Sequence, residues 1–469
     1  MSRLISDLHN RHRSLPIERA PVAPGRVPFL GHALAFRDDP LGFLTSLSEV
    51  GPLVKLYLGP QVAYAVTSPA LVHQMLLLDA AAYDKGRLFD KLKSLTGNGL
   101  ITASGAFHRR LMSPVFHRRM IARYVETMLA RTSEMMSEWS AGAEVDLQRA
   151  ADGLTLRIGV STLFSSAISK DAVEVLEESL PVVLRGTLAR TVLPDVVFHA
   201  PVPAFRRYAR AQTRIREVID ELVGVYRADG RDHGDVLSLM LAVRDEETGQ
   251  AMTDEEIRDE VLTLVLASAE TSSSVLASVL YRLWEHPDVA AKVVDELDLV
   301  LEGRPIGYED VARLEYLQQV LQEALRLDMP ADMFMRRSVI ATRLGDVEVP
   351  SGTELLFSIP ALHRDPSVYP DPERFDPDRW SASTSARSRP PGSYPPFGAG
   401  IRGCVDRPLA MVELAVTVAT ILSQWRFTTG PDFTARRLHR GTTHFDTLIM
   451  TAWPRTGRPS SMAKERTND

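Results

Sequence analysis

A long stretch without proline, from Thr253 to Pro287, restricts the fold more than any other feature of this chain. Thr253 and Glu256 match the capping-box pattern that starts a helix, and Pro287 is expected to end it. The segments VLTLVLA and VLASVLYRLW within it are apolar on nearly every side, which is typical of a buried helix. A helix of this length crosses a whole domain. The sequence therefore predicts a large core built around one central helix.

The length and composition favour a single large domain. The chain has 469 residues, 45% of them hydrophobic, and no Pro/Gly/Ser-rich linker divides it. We predict one domain over residues 1–469, with a flexible N-terminal arm at 1–20 and a flexible tail at 457–469.

Short strands are predicted near both ends of the chain. LVKLYLGPQVAYAV (53–66) and DVEVPSGTELLFSI (346–359) each carry β-branched and aromatic residues on both sides of a turn sequence, so each is predicted to form a hairpin. Most other long segments have helical periodicity. The predicted fold class is mainly α with small β-sheets (α+β).

Charge and cysteine content narrow the cellular setting. A formal net charge of −6 gives no reason to expect nucleic acid as a partner. A single cysteine forms no internal disulfide, and the first twenty residues lack the apolar run of a signal peptide or a membrane anchor. We expect a soluble, cytoplasmic protein.

The middle of the central helix is unexpectedly polar. It reads SAETSSS (268–274), although buried polar groups are costly unless they are hydrogen-bonded. One interpretation is that the hydroxyls bond back to the preceding turn and Glu270 forms an ion pair. The other is a polar groove beside a reaction centre, where Glu270 and Thr271 hold water and pass protons.

A second amphipathic helix is predicted over LEYLQQVLQEALRLDMP (314–330), ending at Pro330. Glu323 and Arg326 lie three residues apart on one face, and such pairs are ordinarily weak surface ion pairs. Arg374, in the proline-rich segment YPDPERFDPDRW (369–380), is a candidate third member that would make the group a buried triad.

The only cysteine lies in PPFGAGIRGCVDRPLA (395–410), directly before an apolar helix that is expected to start near Pro408. Backbone N–H groups and the helix dipole at that position stabilise a thiolate. The glycines give the loop backbone freedom for a close approach to a ligand and are expected to supply N–H donors to the sulfur. A small buried hydrophobic role for Cys404 would explain none of these glycines.

In this order and spacing, the segments resemble the cytochrome P450 family of haem-thiolate enzymes over nearly the whole chain. PGRVPFLGH (24–32) is similar to a segment near the start of such enzymes, and Ala267 to Thr271 are similar to their oxygen-activating helix. The remaining matches are Phe397, Gly398, Gly400, Arg402 and Cys404 in the haem-binding loop, and Glu323, Arg326 and Arg374 in the structural triad.

The resemblance implies a cofactor, a reaction and partners. The cofactor would be haem b, with Cys404 as axial iron ligand and with Arg402, Arg336 and His108 beside its propionates. Glu270 and Thr271 would deliver protons during insertion of one atom of O₂ into a C–H bond. Electrons would come from a separate ferredoxin and ferredoxin reductase, which would dock on four basic residues: Arg109, Arg110, Arg118 and Arg119.

The substrate is expected to be a lipophilic small molecule. Four segments line the pocket by resemblance, namely 84–100, a proline-broken stretch around 180–205, 328–335 and 443–449, and they are rich in Leu, Met and Phe. FHRR and LPDVVFHAPVPAFRR are similar to sequences in bacterial terpene-oxidising members, which points to a sesquiterpene or related hydrocarbon.

Three positions depart from the family pattern. Ser268 replaces a glycine of the central helix, Met112 stands where a second propionate-binding arginine is expected, and Asp406 replaces the glycine two residues after the cysteine. These departures leave an alternative open: a P450-fold protein with weak or no haem that cyclises or isomerises terpenes, or that only binds a lipid.

Overall fold

The structure is a computed structural model, and it describes residues 15–103, 105–165, 168–192, 202–382, 389–430, 433–439 and 442–455. The predicted tail at 457–469, part of the predicted arm at 1–20 and part of the predicted pocket stretch around 180–205 lie outside the described residues.

Helices make up most of the described chain. They are α1 (Ala33–Asp38), α2 (Pro40–Ser46), α3 (Pro69–His73), α4 (Arg87–Thr96), α5 (Phe107–Met112), α6 (Arg118–Ser137), α7 (Leu147–Phe164), α8 (Lys170–Val192), α9 (Pro203–Asp229), α10 (Val236–Ala242), α11 (Asp254–Glu285), α12 (Pro287–Leu301), α13 (Glu315–Leu327), α14 (Ile359–Leu362) and α15 (Arg407–Gln424).

The central helix α11 follows the sequence prediction closely. It begins at Asp254 after a complete capping box, in which Thr253 and Glu256 each satisfy a backbone N–H of the other, and it ends at Glu285. Helices α7, α9, α13 and α15 pack around it. Val261, Val265 and Ala277 are almost completely buried in the main core cluster.

The strands form small sheets. They are β1 (Leu15–Pro16), β2 (Leu53–Leu58), β3 (Gln61–Val66), β4 (Tyr83–Asp84), β5 (Ala143–Asp146), β6 (Phe334–Ser338), β7 (Thr342–Leu344), β8 (Val347–Val349), β9 (Glu354–Phe357), β10 (Trp425–Thr428), β11 (Arg437–His439), β12 (Thr443–Phe445) and β13 (Ile449–Pro454). The largest sheet has the order β2-β3-β9-β6-β4. The predicted mainly helical α+β class is confirmed.

One hairpin prediction is confirmed and the other is wrong. β2 and β3 pair antiparallel around Gly59 and Pro60. The strands predicted over 346–359 instead join two different sheets, because β8 pairs with β7 and β1, whereas β9 pairs with β3 and β6. The turn between β8 and β9 therefore connects two sheets and does not close a hairpin.

Residues 15–20, which the sequence analysis included in a flexible N-terminal arm, are ordered. Leu15 and Pro16 pair in parallel with Val347 and Glu348, and the side chain of Ile17 is buried in a core cluster. Residues 15–20 are therefore part of the fold.

By length and composition, α11 is a helix that could span a membrane, and no other helix in the described part of the chain is. Its apolar window is 71% buried inside the protein, as in the core helix of a globular domain.

Candidate active site

The cysteine loop depends on two glycines in left-handed backbone conformations. Gly398 has φ 67° and Gly400 has φ 65°. A Cβ atom at Gly400 would lie 2.2 Å from the carbonyl oxygen of Leu76, so only glycine fits there. The loop is closed by the backbone N–H of Cys404, which donates to the carbonyl of Phe397 at 2.7 Å.

The Cys404 thiol lies at the start of α15, with Pro408 in the first turn of that helix. The residue is exposed, although its thiol is partly desolvated by the protein around it. Desolvation, and next the Asp406 carboxylate, raise the pKa of the thiol to about 11. Backbone N–H groups of Asp406 and Arg407 oppose this rise, as does the charge of Arg109. A metal ion bound at sulfur deprotonates a thiol outright, so the raised pKa is compatible with a ligand role.

The expected glycine donors to sulfur are not those observed. The N–H groups of Gly398 and Gly403 donate to the carbonyls of Pro395 and Gly400. The first turn of α15 supplies the donors to sulfur in their place.

Four cations from separate segments converge beside this loop: Lys85, Arg109, Arg336 and Arg402. Burial, followed by the charges of Arg402 and Arg336, lowers the pKa of Lys85 to about 8. Burial, followed by Arg402, lowers the pKa of Arg336 to about 10. Burial is the larger cause of both pKa shifts, and the charges of neighbouring arginines add to it.

The four cations donate to backbone carbonyls. Lys85 Nζ is 2.6 Å from Leu100 O, Arg109 Nη1 is 2.6 Å from Gly403 O, Arg336 Nη1 is 2.7 Å from Met335 O, and Arg402 Nη1 is 2.6 Å from Ala80 O. Within the described ranges, none of them forms an ion pair with a carboxylate. An exposed cysteine beside buried and half-buried cations that lack a carboxylate in ion-pair contact fits an iron porphyrin, whose propionates carry two negative charges.

The second component of the candidate site is the polar part of α11. Ala267 and Thr271 are exposed, and Glu270 is half-buried. The Thr271 hydroxyl donates to the carbonyl of Ala267 at 2.7 Å, as the structural interpretation of this segment expected. The same hydroxyl retains its lone pairs as acceptors for water.

Glu323 and Arg326 form a completely buried pair on α13. Two parallel hydrogen bonds of 2.8 and 2.9 Å join the guanidinium to the carboxylate. Arg326 also donates to the carbonyls of His363, Pro372 and Arg374. The pair is therefore internal and joins α13 to the segment 363–374.

The third member of the triad is Arg379, and the prediction of Arg374 is wrong. Arg379 Nε lies 3.3 Å from Glu323 Oε1, and Trp380 Nε1 donates to Glu323 Oε2 at 2.9 Å. Arg374 contributes only its carbonyl, and its side chain is exposed. The chain turns between the two arginines, so position in the sequence did not identify the inward-facing one.

A family model of cytochrome P450 matches residues 21–442. The chain belongs to the cytochrome P450 family. It is 41% identical to cyclooctat-9-en-7-ol 5-monooxygenase of Streptomyces melanosporofaciens, over 90% of this chain and 93% of that protein. It is 36% identical to pentalenene oxygenase of Streptomyces avermitilis, over 89% of this chain and 93% of that protein.

The solved structures agree with this assignment. The crystal structure of the cytochrome P450DA heme domain superposes with a TM-score of 0.84 at 26% identity, covering 93% of this chain and 98% of that one. The protein is a P450 monooxygenase with a haem cofactor held by a cysteine thiolate.

Two expectations about the haem propionates, the contact from His108 and the missing arginine at Met112, need correction. His108 is buried and directed toward α11, where its Nδ1 is 2.6 Å from Glu260 Oε1. Met112 is completely buried in the main core, so no missing arginine is involved there. Arg109, less than one turn earlier, supplies the cation beside the cysteine loop.

The predicted basic docking surface is also smaller than expected. Arg110 is paired with Asp245 and Glu247, and Arg118 is paired with Glu309. Arg109 faces the cysteine loop. Of the four arginines, Arg119 is the exposed one for which the described residues supply no ion pair.

The sequence analysis missed a buried acid on α15. Desolvation, followed by the charge of Asp406, raises the pKa of Glu413 to about 8, and desolvation raises that of Asp406 to about 7. One oxygen of each carboxyl has no hydrogen-bond partner among the described residues. The Ser272 hydroxyl is 3.5 Å from the other oxygen of Glu413.

Ser268, the third departure, has a structural partner. It faces Gly159 on α7, and a Cβ atom at position 159 would lie 2.8 Å from the serine hydroxyl. The family pattern places a glycine at position 268 on α11; in this chain that position is Ser268, and the glycine at this contact is Gly159 on α7.

Proposed function

We propose that this P450 inserts one atom of O₂ into a C–H bond of a terpene or a terpene-derived lipophile. The observation that carries the proposal is the exposed Cys404, which lies beside four buried or half-buried cations that form no ion pair with a carboxylate of the described residues. The relatives named for cyclooctat-9-en-7-ol and pentalenene support the substrate class.

The haem, when bound, supplies activation of O₂ with two electrons and two protons, so that one oxygen atom enters the substrate and the other leaves as water. Cys404 would hold the iron, with Phe397, Gly398 and Gly400 shaping its loop. Lys85, Arg109, Arg336 and Arg402 would neutralise the propionates, since each cation is already desolvated or held close to the cysteine loop.

Glu270 and Thr271 would hold the water that carries protons to the reaction centre. The position of the two residues supports this role, because both lie in the accessible polar part of α11 and the Thr271 hydroxyl has lone pairs available for a water.

The pocket segments support a lipophilic substrate. Among the described residues, Leu100, Met333 and Phe334 are half-buried and belong to segments that the resemblance places at the pocket. Flexible methionine and apolar side chains fit an irregular hydrocarbon skeleton.

Electrons would be supplied by a separate ferredoxin and its reductase. Arg119 and Arg407 are exposed in the first turns of α6 and α15 and are the arginines we propose for contact with an acidic donor.

The absorption spectrum of the reduced protein with carbon monoxide tests the first part of the proposal. A red-shifted Soret band indicates thiolate-ligated haem. Well-folded protein without a haem spectrum would instead support the non-oxidative alternative. Incubation with ferredoxin, reductase, NADPH and either pentalenene or cyclooctat-9-en-7-ol tests the second part, with a product heavier by one oxygen atom as the expected result.

A further inference from the structure

We propose that Glu260 is a positioning residue for substrate binding, because its carboxylate fastens the segment Gly97 to Thr102 to the central helix beside the cation cluster. This inference rests on the proposed function. It assigns to one buried acid the placement of a pocket wall, a role that neither the haem contacts nor the proton-delivery residues supply.

Glu260 is completely buried and both of its oxygens are used. Oε2 accepts a hydrogen bond from the backbone N–H of Leu100 at 3.0 Å. Oε1 lies 2.6 Å from Nδ1 of His108, which is itself buried on α5. The histidine therefore orients the carboxylate, and the carboxylate holds the loop.

Leu100 is held on its other side as well. Its carbonyl accepts from Lys85 Nζ at 2.6 Å, and Lys85 is one of the four cations at the cysteine loop. A continuous line of contacts thus runs from His108 through Glu260 and Leu100 to Lys85. Moving the Leu100 backbone would move a segment that the resemblance places at the pocket, and also the cation that the Leu100 carbonyl anchors.

The neighbouring acid on α11 makes a second attachment. Asp259 Oδ2 accepts from the backbone N–H of Asn98 at 2.7 Å. Gly97 has φ 54°, and a Cβ atom there would lie 2.1 Å from Asp259 Oδ2. The sequence of the loop is therefore fitted to the surface of the helix.

Gly99 shows how closely the loop and the helix approach. A Cβ atom at Gly99 would lie 2.2 Å from Thr263 Oγ1 and 2.6 Å from the carbonyl oxygen of Asp259. Thr102 closes the turn by donating its hydroxyl to the carbonyl of Gly97 at 2.8 Å. The segment is a preformed turn whose position on α11 is set by Asp259 and Glu260.

A purely stabilising role for Glu260 predicts something different from a positioning role. A stabilising acid would lower the melting temperature when replaced but leave the bound substrate in its place. A positioning acid changes how substrate binds and which carbon is oxidised, even in protein that has folded and taken up haem.

Three variants of the full-length haem-loaded enzyme separate these roles. Glu260→Asp withdraws the carboxylate by one methylene from Leu100 while keeping its charge. Glu260→Gln keeps the length and an oxygen acceptor. Glu255→Gln removes an exposed acid on the same helix and serves as the control.

We expect Glu260→Asp to speed hydrogen exchange at the Leu100 amide by about tenfold or more. We also expect it to raise the Kd of pentalenene or cyclooctat-9-en-7-ol, measured from the Soret shift, by about tenfold. The ratio of oxidised products should change too. Glu260→Gln should largely restore all three, Glu255→Gln should match the wild type, and haem content should be equal throughout.

The proposal is overturned if haem-loaded Glu260→Asp keeps the wild-type exchange rate and product ratio. Loss of haem from Glu260→Asp alone would overturn it as well, because Glu260 would then act in haem retention. Failure of the proposed function is distinguishable, since it would appear in the wild type as the absence of a thiolate-haem spectrum. Even if neither terpene binds, an unchanged exchange rate at the Leu100 amide overturns the inference, because the attachment of the loop would then not depend on Glu260.

Discussion

At the scale of single residues, Thr271 is the most informative side chain of the central helix. Its hydroxyl donates to the Ala267 carbonyl and so has only acceptor capacity left for water. We expect Thr271→Ala to retain haem and substrate binding, while product formed per NADPH consumed falls several-fold and hydrogen peroxide accumulates. Thr271→Ser, which keeps the hydroxyl, is the control. Unchanged coupling in the alanine variant would assign Thr271 to the helix backbone alone.

Asp406 places a second negative charge beside the cysteine sulfur. Its charge contributes to the raised pKa of Cys404, and one of its oxygens has no partner in the described chain. We expect Asp406→Gly to lower the pKa of the thiol and to raise haem occupancy without abolishing activity. Titration of the thiol in haem-free protein and the ratio of haem to protein are the measurements. Equal haem content in both proteins would make Asp406 a tolerated local change.

Glu413 gives a prediction about pH. Burial raises its pKa to about 8, so the folded protein holds a proton there that the unfolded chain releases near its ordinary, lower pKa. This contribution to stability is fully present below the unfolded pKa and is lost as the pH rises toward 8. We expect Glu413→Gln, compared with the wild type, to gain on the order of 1 °C or more in Tm between pH 6 and pH 8.5. A constant difference across this range would show that Glu413 is not protonated in the fold.

At the scale of elements, the buried triad joins α13 to the segment that follows Pro372. Arg379→Ala removes a partner of a completely buried carboxylate and is expected to cost about 1 to 3 kcal/mol of unfolding free energy. Arg374→Ala removes only an exposed side chain and should change that free energy by less than about 0.5 kcal/mol. Urea unfolding of the haem-loaded variants is the measurement, and equal effects would contradict the assignment.

The elements differ in how far local sequence determined them. The capping box of Thr253 and Glu256 and the apolar pattern after it predicted α11 to within a residue, because both signals are local. The prediction of the triad was wrong at Arg374, because several arginines follow α13 in the sequence and only tertiary packing selects Arg379. The second hairpin failed because strand pairing across two sheets depends on partners distant in sequence.

The site itself shows the same division. Cys404 and its glycines were predictable, because the loop is one continuous segment with a distinctive composition. The cation cluster was only half predicted: Arg336 and Arg402 were proposed, whereas Arg109 was assigned to the docking surface and Lys85 was not singled out within the pocket segment 84–100. His108 was misplaced because its partner, Glu260, lies on another helix, and no local pattern links the two.

At the scale of the whole molecule, the cation cluster couples the cofactor to stability. Without haem, repulsion acts between Lys85 and the arginines near it, and salt screens this repulsion in part, because Lys85, Arg109 and Arg402 are only half-buried. We expect the Tm of the haem-free protein to rise between low salt and 0.5 M NaCl by on the order of 1 °C or more beyond any rise in the haem-loaded protein. This difference corresponds to roughly a kcal/mol of repulsion between the cations. Lys85→Gln should reduce this difference. Equal salt dependence of the two forms would show that the cluster is already neutralised.

The contact between Ser268 and Gly159 has a consequence for the history of the sequence. Because a side chain at 159 would meet the serine hydroxyl at 2.8 Å, it would require that hydroxyl to rotate or the helices to shift, so a change at one position affects the other. A lineage that gained the serine while α7 still carried a larger residue would have crowded the two helices, whereas one in which glycine came first would have passed through a small gap. The second order of events is the less costly one, so relatives with serine on the central helix should carry glycine at the facing position, while relatives with glycine there are free to carry alanine or larger residues opposite.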